Sequence, residues 1–160
     1  MSFDMFLKLD AINGESVDNT HKNEVDVLSW AWGLTQSGSA HVAGGAGSGK
    51  VNVHDVTVTK YVDSASPVLV KFCCNGAPIK SAVLTIRKAG GKPLEYYKLT
   101  LTNVLVSSIT PGGAGGQDRL TETISLNFGQ FKLEYVPQKA DGSGGPVIAA
   151  SWNIASNHEA

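Results

Sequence analysis

The stretch Glu122-Thr-Ile-Ser-Leu-Asn-Phe-Gly-Gln-Phe-Lys-Leu-Glu-Tyr135 alternates apolar and polar residues along its whole length, with one interruption. Ile124, Leu126 and Phe128 share one phase, and Phe131, Leu133 and Tyr135 share the other. Period-two alternation marks a half-buried strand. A regular strand cannot change phase, because every side chain would move to the opposite face. Gly129-Gln130 at the slip therefore reads as a β-bulge, where glycine reaches positive φ at little cost. The same slip occurs twice upstream. In a strand expected over about 24–34, Val25 and Val27 are out of phase with Leu28, Trp30, Trp32 and Leu34, so a bulge is expected near Val27-Leu28. Val51 and Val53 are out of phase with Val56 and Val58, with His54-Asp55 at the slip. Long strands bent by mid-strand bulges suit a barrel or a curled sandwich better than a flat open sheet.

The remaining pattern is consistent with a mainly β chain. Phe3, Met5, Leu7 and Leu9 share one face of a first strand, and Asn13-Gly14 supplies a turn dipeptide after it. Further strands are expected over about 82–88, 95–107 and 147–154. Trp30 and Trp32 should face the core, with Ser29, Ala31 and Gly33 on the other side. Leu84 with Ile86, and Trp152 with Ile154, should also face the core. One short α-helix is expected over about 67–75. Ser66-Pro67 offers an N-cap followed by proline at the first helical position. Val68, Leu69, Phe72 and Cys73 fall on one face, and Asn75-Gly76 stops the helix. A helix of this length must pack against strands and could plug one end of a barrel.

No shift in composition marks a boundary, so one domain over 1–160 is expected. Gly38–Lys50, Pro111–Gln117 and Asp141–Pro146 are glycine-rich connections. The first is the longest irregular stretch and reads as an arm reaching a partner.

Composition excludes several classes of function. The 160 residues can bury a core. Lys plus Arg number 13 and Asp plus Glu 14, which leaves no basic excess for nucleic-acid phosphates. Charged residues are 17%, against a usual share of about 25%, so the surface is charge-poor and suits coverage by other subunits. Apolar runs are too short for a membrane-spanning helix. Asp4, Lys8 and Asp10 interrupt the first apolar segment, so no signal-peptide core is expected. Cys73 and Cys74 are adjacent and read as two free, buried thiols.

No catalytic chemistry emerges. Gly44-Gly-Ala-Gly-Ser-Gly-Lys50 fits the first part of a phosphate-binding loop. Val51 stands where a hydroxyl should follow, and a strand follows where a helix is needed, so the segment reads as a hairpin loop. His21, His41, His54 and His158 have no metal-ligand spacing. His54-Asp55 reads as a hydrogen-bonded pair at a bulge. Glu15, Asp18, Glu24, Asp26, Glu95, Asp118, Glu122 and Glu134 are scattered, and each reads as a solvated surface carboxylate. There is no G-x-S-x-G elbow. The expectation is a non-enzymatic domain without metal or cofactor that assembles with itself or, alternatively, a lectin-like β-sandwich that binds a ligand.

Phe6-Leu-Lys-Leu-Asp-Ala-Ile-Asn-Gly-Glu-Ser16 resembles the opening of the haemolysin-coregulated protein family, which forms the inner tube of bacterial type VI secretion systems. The resemblance continues through Ser29-Trp-Ala-Trp-Gly33, Ser66-Pro67, Thr85-Ile-Arg-Lys-Ala-Gly-Gly91, Glu122–Phe128, Tyr135-Val-Pro-Gln138 and Trp152-Asn153. It implies a two-sheet β-barrel flanked by a helix. It implies homohexameric rings stacked into a tube beneath a spike protein, within a contractile sheath on a baseplate. It further implies assembly in the bacterial cytoplasm and secretion without a cleavable signal peptide, with effector toxins as cargo of some members. Nucleic-acid binding and membrane insertion are not implied. Ser29 and Ala31 become channel-facing candidates. The family often has serine where Ala31 stands, so a channel contact there is apolar and donates no hydroxyl hydrogen bond. His41, Gly45, Gly47 and Lys50 become ring-stacking candidates, and Trp30, Trp32, Phe72 and Trp152 core residues.

Overall fold

The computed structural model describes residues 2–38, 41 and 50–160. In chain order the elements are β1 (Phe3–Leu9), β2 (Val25–Ala31), β3 (Leu34–Gln36), β4 (Val51–Val53), β5 (Val56–Tyr61), α1 (Ser66–Asn75), β6 (Ile79–Lys88), β7 (Leu94–Gly112), β8 (Thr121–Tyr135) and β9 (Ile148–Asn153). One antiparallel sheet runs in the order β5-β2-β1-β6-β7-β8-β9. β5 also pairs with β8, which closes six strands into a barrel and leaves β9 as an outer strand. β3 and β4 form a separate two-stranded ribbon. The expected β-barrel with one short helix is borne out. Its interior is packed with side chains such as Leu7, Val25, Val58, Leu84, Leu99, Ile124 and Leu126, all buried.

The three phase slips have three different physical causes. In β2 the register against β5 shifts between Val27 and Ser29, so Leu28 is the bulge residue anticipated there. At His54-Asp55 there is no bulge. The chain leaves the ribbon and enters the barrel, and the expected 24–34 strand likewise breaks after Ala31. Two hydrogen bonds hold these facing corners: Trp32 Nε1–H donates to the His54 carbonyl at 3.1 Å, and the His54 N–H donates to the Gly33 carbonyl at 2.9 Å.

At Gly129-Gln130 the register with β7 does not shift, since Val104 faces Phe128 and Thr102 faces Gln130. Instead both strands change phase together. Buried residues pass from Phe128 to Phe131 in β8 and from Leu101 to Val104 in β7. Asn103, at φ 56°, sits at the turn-over on the β7 side. The pairing survives while the inward face stays apolar. The true register shift of this ribbon lies between Val106 and Ser108.

α1 packs against β7. Ala65 is its N-cap, and Gly76, at φ 65°, ends it by donating its N–H to the Phe72 carbonyl at 3.0 Å. The expected cap, Ser66, is instead the first helical residue. Asp63 Oδ1 accepts the Ala65 N–H at 3.0 Å in its place. Leu69 is buried, while Val68 is exposed and so lies off the packed face. Cys73 is half-buried and Cys74 exposed, which corrects the reading of two buried thiols. Successive helical positions are rotated by about 100°, so adjacent cysteines cannot both face the barrel.

Glu122 is also not a surface carboxylate. It points inward in phase with Ile124, directly opposite Lys60 on β5. Lys60 is 0% exposed and donates to Glu122, to Asp63 Oδ1 at 2.9 Å and to Ser66 Oγ at 3.2 Å. Ser66 Oγ–H donates to Glu122 Oε1 at 2.5 Å. This closed set ties the barrel seam to the start of α1. Removing one partner of a buried ion pair strands the other without solvent, at a cost of about 3–5 kcal/mol. Lys60→Met is accordingly expected to lower stability by about that amount in urea titrations at matched protomer concentration. A loss below about 1 kcal/mol would show that the cluster adds little to the seam.

Candidate functional site: a hydroxyl-rich face

The closure that buries Lys60 and Glu122 turns their chain neighbours outward. Ala31 pairs with Thr57, Thr57 with Ser125, and Ser125 with Ser108. One row along, Ser29 pairs with Thr59, Thr59 with Thr123, and Thr123 with Thr110. Along these two rows the outer face of β2, β5, β8 and the lower half of β7 carries small side chains, nearly all of them hydroxyls. Thr59 Oγ1 and Thr123 Oγ1 lie 3.2 Å apart, and Thr57 Oγ1–H donates to the Ala31 carbonyl at 3.3 Å. Ser29 and Ala31 are exposed on this face, opposite in phase to Trp30.

Asp55 sits at one end of the face. It accepts from Ser107 Oγ–H at 2.6 Å and from Asn127 Nδ2–H at 2.8 Å. No hydrogen bond joins it to the His54 side chain among the described residues. Arg119 lies over the Tyr61 ring at the other end, 3.9 Å from its centroid.

Trp30, Trp32, Phe72 and Trp152 are half-buried and pack against the core. His41 and Lys50 are exposed, and Gly45 and Gly47 lie outside the described residues. The strand β4 follows Lys50 directly, so the glycine-rich segment does not lead into a helix N-terminus. Among the described residues no three His, Cys, Asp or Glu side chains converge as a metal site, and no helix is long and apolar enough to cross a membrane.

A second polar cluster lies across β1, β6 and the start of β7. The His21 ring stacks on Phe6, with centroids 4.3 Å apart. Its nitrogens meet Glu24 at 2.9 Å and Glu95 at 2.5 Å. Arg87 lies over the same Phe6 ring and bridges Asp18 at 2.7 Å and Asp4 at 3.1 Å. Asp18, Glu24 and Glu95 are thus partners in a staple that fixes the segment before β2, rather than scattered solvated charges. The hydrogen bond from Arg87 holds the Asp18 carboxyl well below the usual carboxylate range. Burial acts the other way on Tyr97, whose hydroxyl is pushed up.

The description "Type VI secretion system effector, Hcp" belongs to the family whose profile matches residues 6–135. Protein hcp1 of Pseudomonas aeruginosa is 53% identical over 163 residues, covering 100% of both chains. The crystal structure of Hcp1 from Salmonella typhimurium superimposes with a TM-score of 0.81 at 39% identity, covering 100% of each chain. A solved type six secretion system protein reaches a TM-score of 0.93 at 33% identity, covering 99% of this chain and 100% of its own. Together with the closed barrel, these likenesses define a secreted tube protein of type VI secretion. The chain belongs to the Hcp family. The resemblance read from the sequence is borne out, and the lectin-like alternative finds no support. Family membership carries self-assembly within the secretion system.

The Arg87 staple has a signed pH dependence. Asp18 titrates lower in the folded chain than its unfolded value of about 3.9, so its contribution is complete above that pH and fades as pH falls toward the depressed folded value. Arg87→Gln is expected to lower the urea midpoint at neutral pH. Its deficit against wild type should narrow when the titration is repeated at about pH 3. An equal deficit at both pH values would assign the effect to packing on Phe6 alone.

Proposed function

We propose that this chain closes into homohexameric rings that stack into the expelled tube, with the hydroxyl face of β2, β5, β8 and β7 lining the channel. Residues 1–160 act as one unit in this reading, assembled in the cytoplasm and secreted by sheath contraction. The spike, sheath and baseplate are its structural partners, and effector proteins are the cargo. One observation carries the proposal: a face four strands wide bears mainly small hydroxyls, with Asp55 at one end and Asp26 and Arg119 toward the other, in a chain of a tube-forming family. Such a wall offers cargo many weak, short-range hydrogen bonds and little electrostatic trapping.

Ring closure needs heterologous contacts that return on themselves. β9 is an outer strand whose far side pairs, among the described residues, only through the bridge of Asn153 to His158 at its end, and its first residue Ile148 is 62% exposed. An uncharged open edge of this kind is normally covered, and a ring neighbour would cover it. Low charge also reduces the desolvation cost of subunit contacts. The glycine-rich Gly38–Lys50 segment joins the β3–β4 ribbon, and His41, Gly45, Gly47 and Lys50 are its proposed ring-stacking residues.

Deleting Ala43–Ser48 should leave the hexamer intact by light scattering and abolish long tubes in negative-stain electron micrographs. Tubes of normal length from the deletion variant would remove the stacking role of the segment.

A further inference from the structure

At the Asp55 end of the hydroxyl face the barrel and the ribbon meet in a shallow cleft of 270 Å³ lined by Ala31, Trp32, Gly33, His54, Asp55 and Thr57. Its volume falls below the roughly 300–1,000 Å³ of small-molecule pockets and suits one side chain rather than a whole ligand. We infer that this cleft takes a lysine or arginine side chain from a transported polypeptide. The inference rests on the reading of this face as the channel wall.

Three features point to a cation. First, Asp55 is the charged side chain at the Ala31–Thr57 end of this face: Lys60 and Glu122 point into the barrel, and the exposed Asp26 stands at the opposite end of β2. Second, its carboxylate is oriented without being neutralised. The two donors on it, Ser107 Oγ–H and Asn127 Nδ2–H, are uncharged, and no lysine, arginine or histidine pairs with it among the described residues. Third, the Trp32 indole walls the same cleft, held in place by the hydrogen bond from its N–H to the His54 carbonyl. A fixed aromatic ring beside an oriented carboxylate combines cation–π attraction with charge-assisted hydrogen bonding.

Ala31 fits this use. Its methyl sets a small, apolar floor, and its carbonyl is already engaged by Thr57. In a closed ring the cleft would recur at every subunit around the channel. A cargo with several basic residues would then gain from multivalency, although each contact is weak.

The test uses purified full-length protein and two fluorescein-labelled peptides, one alternating Arg and Gly and one alternating Glu and Gly, read by fluorescence anisotropy. Wild type should prefer the Arg peptide, and the preference should fall as salt is raised. Asp55→Asn keeps the shape and the Ser107 contact, and should weaken Arg-peptide binding about tenfold. Asp118→Asn, on the β7–β8 loop, should leave it unchanged. Particle mass is measured for every variant, and only variants matching the wild-type mass enter the comparison. Quenching or shift of wild-type tryptophan fluorescence by the Arg peptide supplies a readout independent of the variants.

Equal binding of both peptides, no loss with Asp55→Asn, or an equal loss with Asp118→Asn would each overturn the cleft. Hexamers that do not bind the Arg peptide would also overturn it while leaving the ring intact. A monomer with Asp55-dependent binding would uphold the cleft and contradict the ring.

Discussion

Pairing of β5 with β8 is the contact on which both surfaces of this barrel depend. Six residue pairs, Val56 with Leu126 through Tyr61 with Thr121, close the sheet. Alternation then sorts them. Val56, Val58 and Lys60 meet Leu126, Ile124 and Glu122 inside, while Thr57 and Thr59 meet Ser125 and Thr123 outside. A one-residue slip would place the lysine and the glutamate on the outer face and the hydroxyls in the core. The buried ion pair therefore helps to specify the register that also builds the hydroxyl face. Seam and wall are two sides of one ladder.

This arrangement explains how a charge-poor chain divides its few charges. Lys60, Glu122 and Asp63 are used within the fold, where they join the seam to α1. Arg87, Asp18, Asp4, His21, Glu24 and Glu95 anchor the segment before β2 against β1, β6 and β7. The hydroxyl face is left nearly neutral, and β9 presents an uncharged edge. A neutral inner wall and coverable edges fit a subunit that must assemble tightly and still let cargo leave.

Much of the barrel was legible in the sequence because alternation reports burial directly. The helix end at Gly76 and the bulge at Leu28 followed from the same local rules. Other features needed tertiary context. The slip at His54-Asp55 marks a change of sheet, and alternation alone cannot distinguish that from a bulge. The slip at Gly129-Gln130 is matched by Asn103 on the partner strand, and only pairing reveals the match. The burial of Glu122 had a signal: it shares the phase of Ile124, Leu126 and Phe128, just as Lys60 shares that of Val56 and Val58. The usual solvation of carboxylates masks that phase. The Trp32–Asp55 cleft left no sequence trace beyond proximity, since it forms only where the ribbon departs from the barrel.

The most direct test of the account is the mass of the untagged particle, measured by size-exclusion chromatography with light scattering at low and high salt. Contacts between charge-poor surfaces should resist salt. The account predicts a closed ring of about 101 kDa, six times the 16.8 kDa chain, unchanged across the salt range. A particle near the 16.8 kDa chain mass at both salts would contradict it, because the tube would then lack its building block.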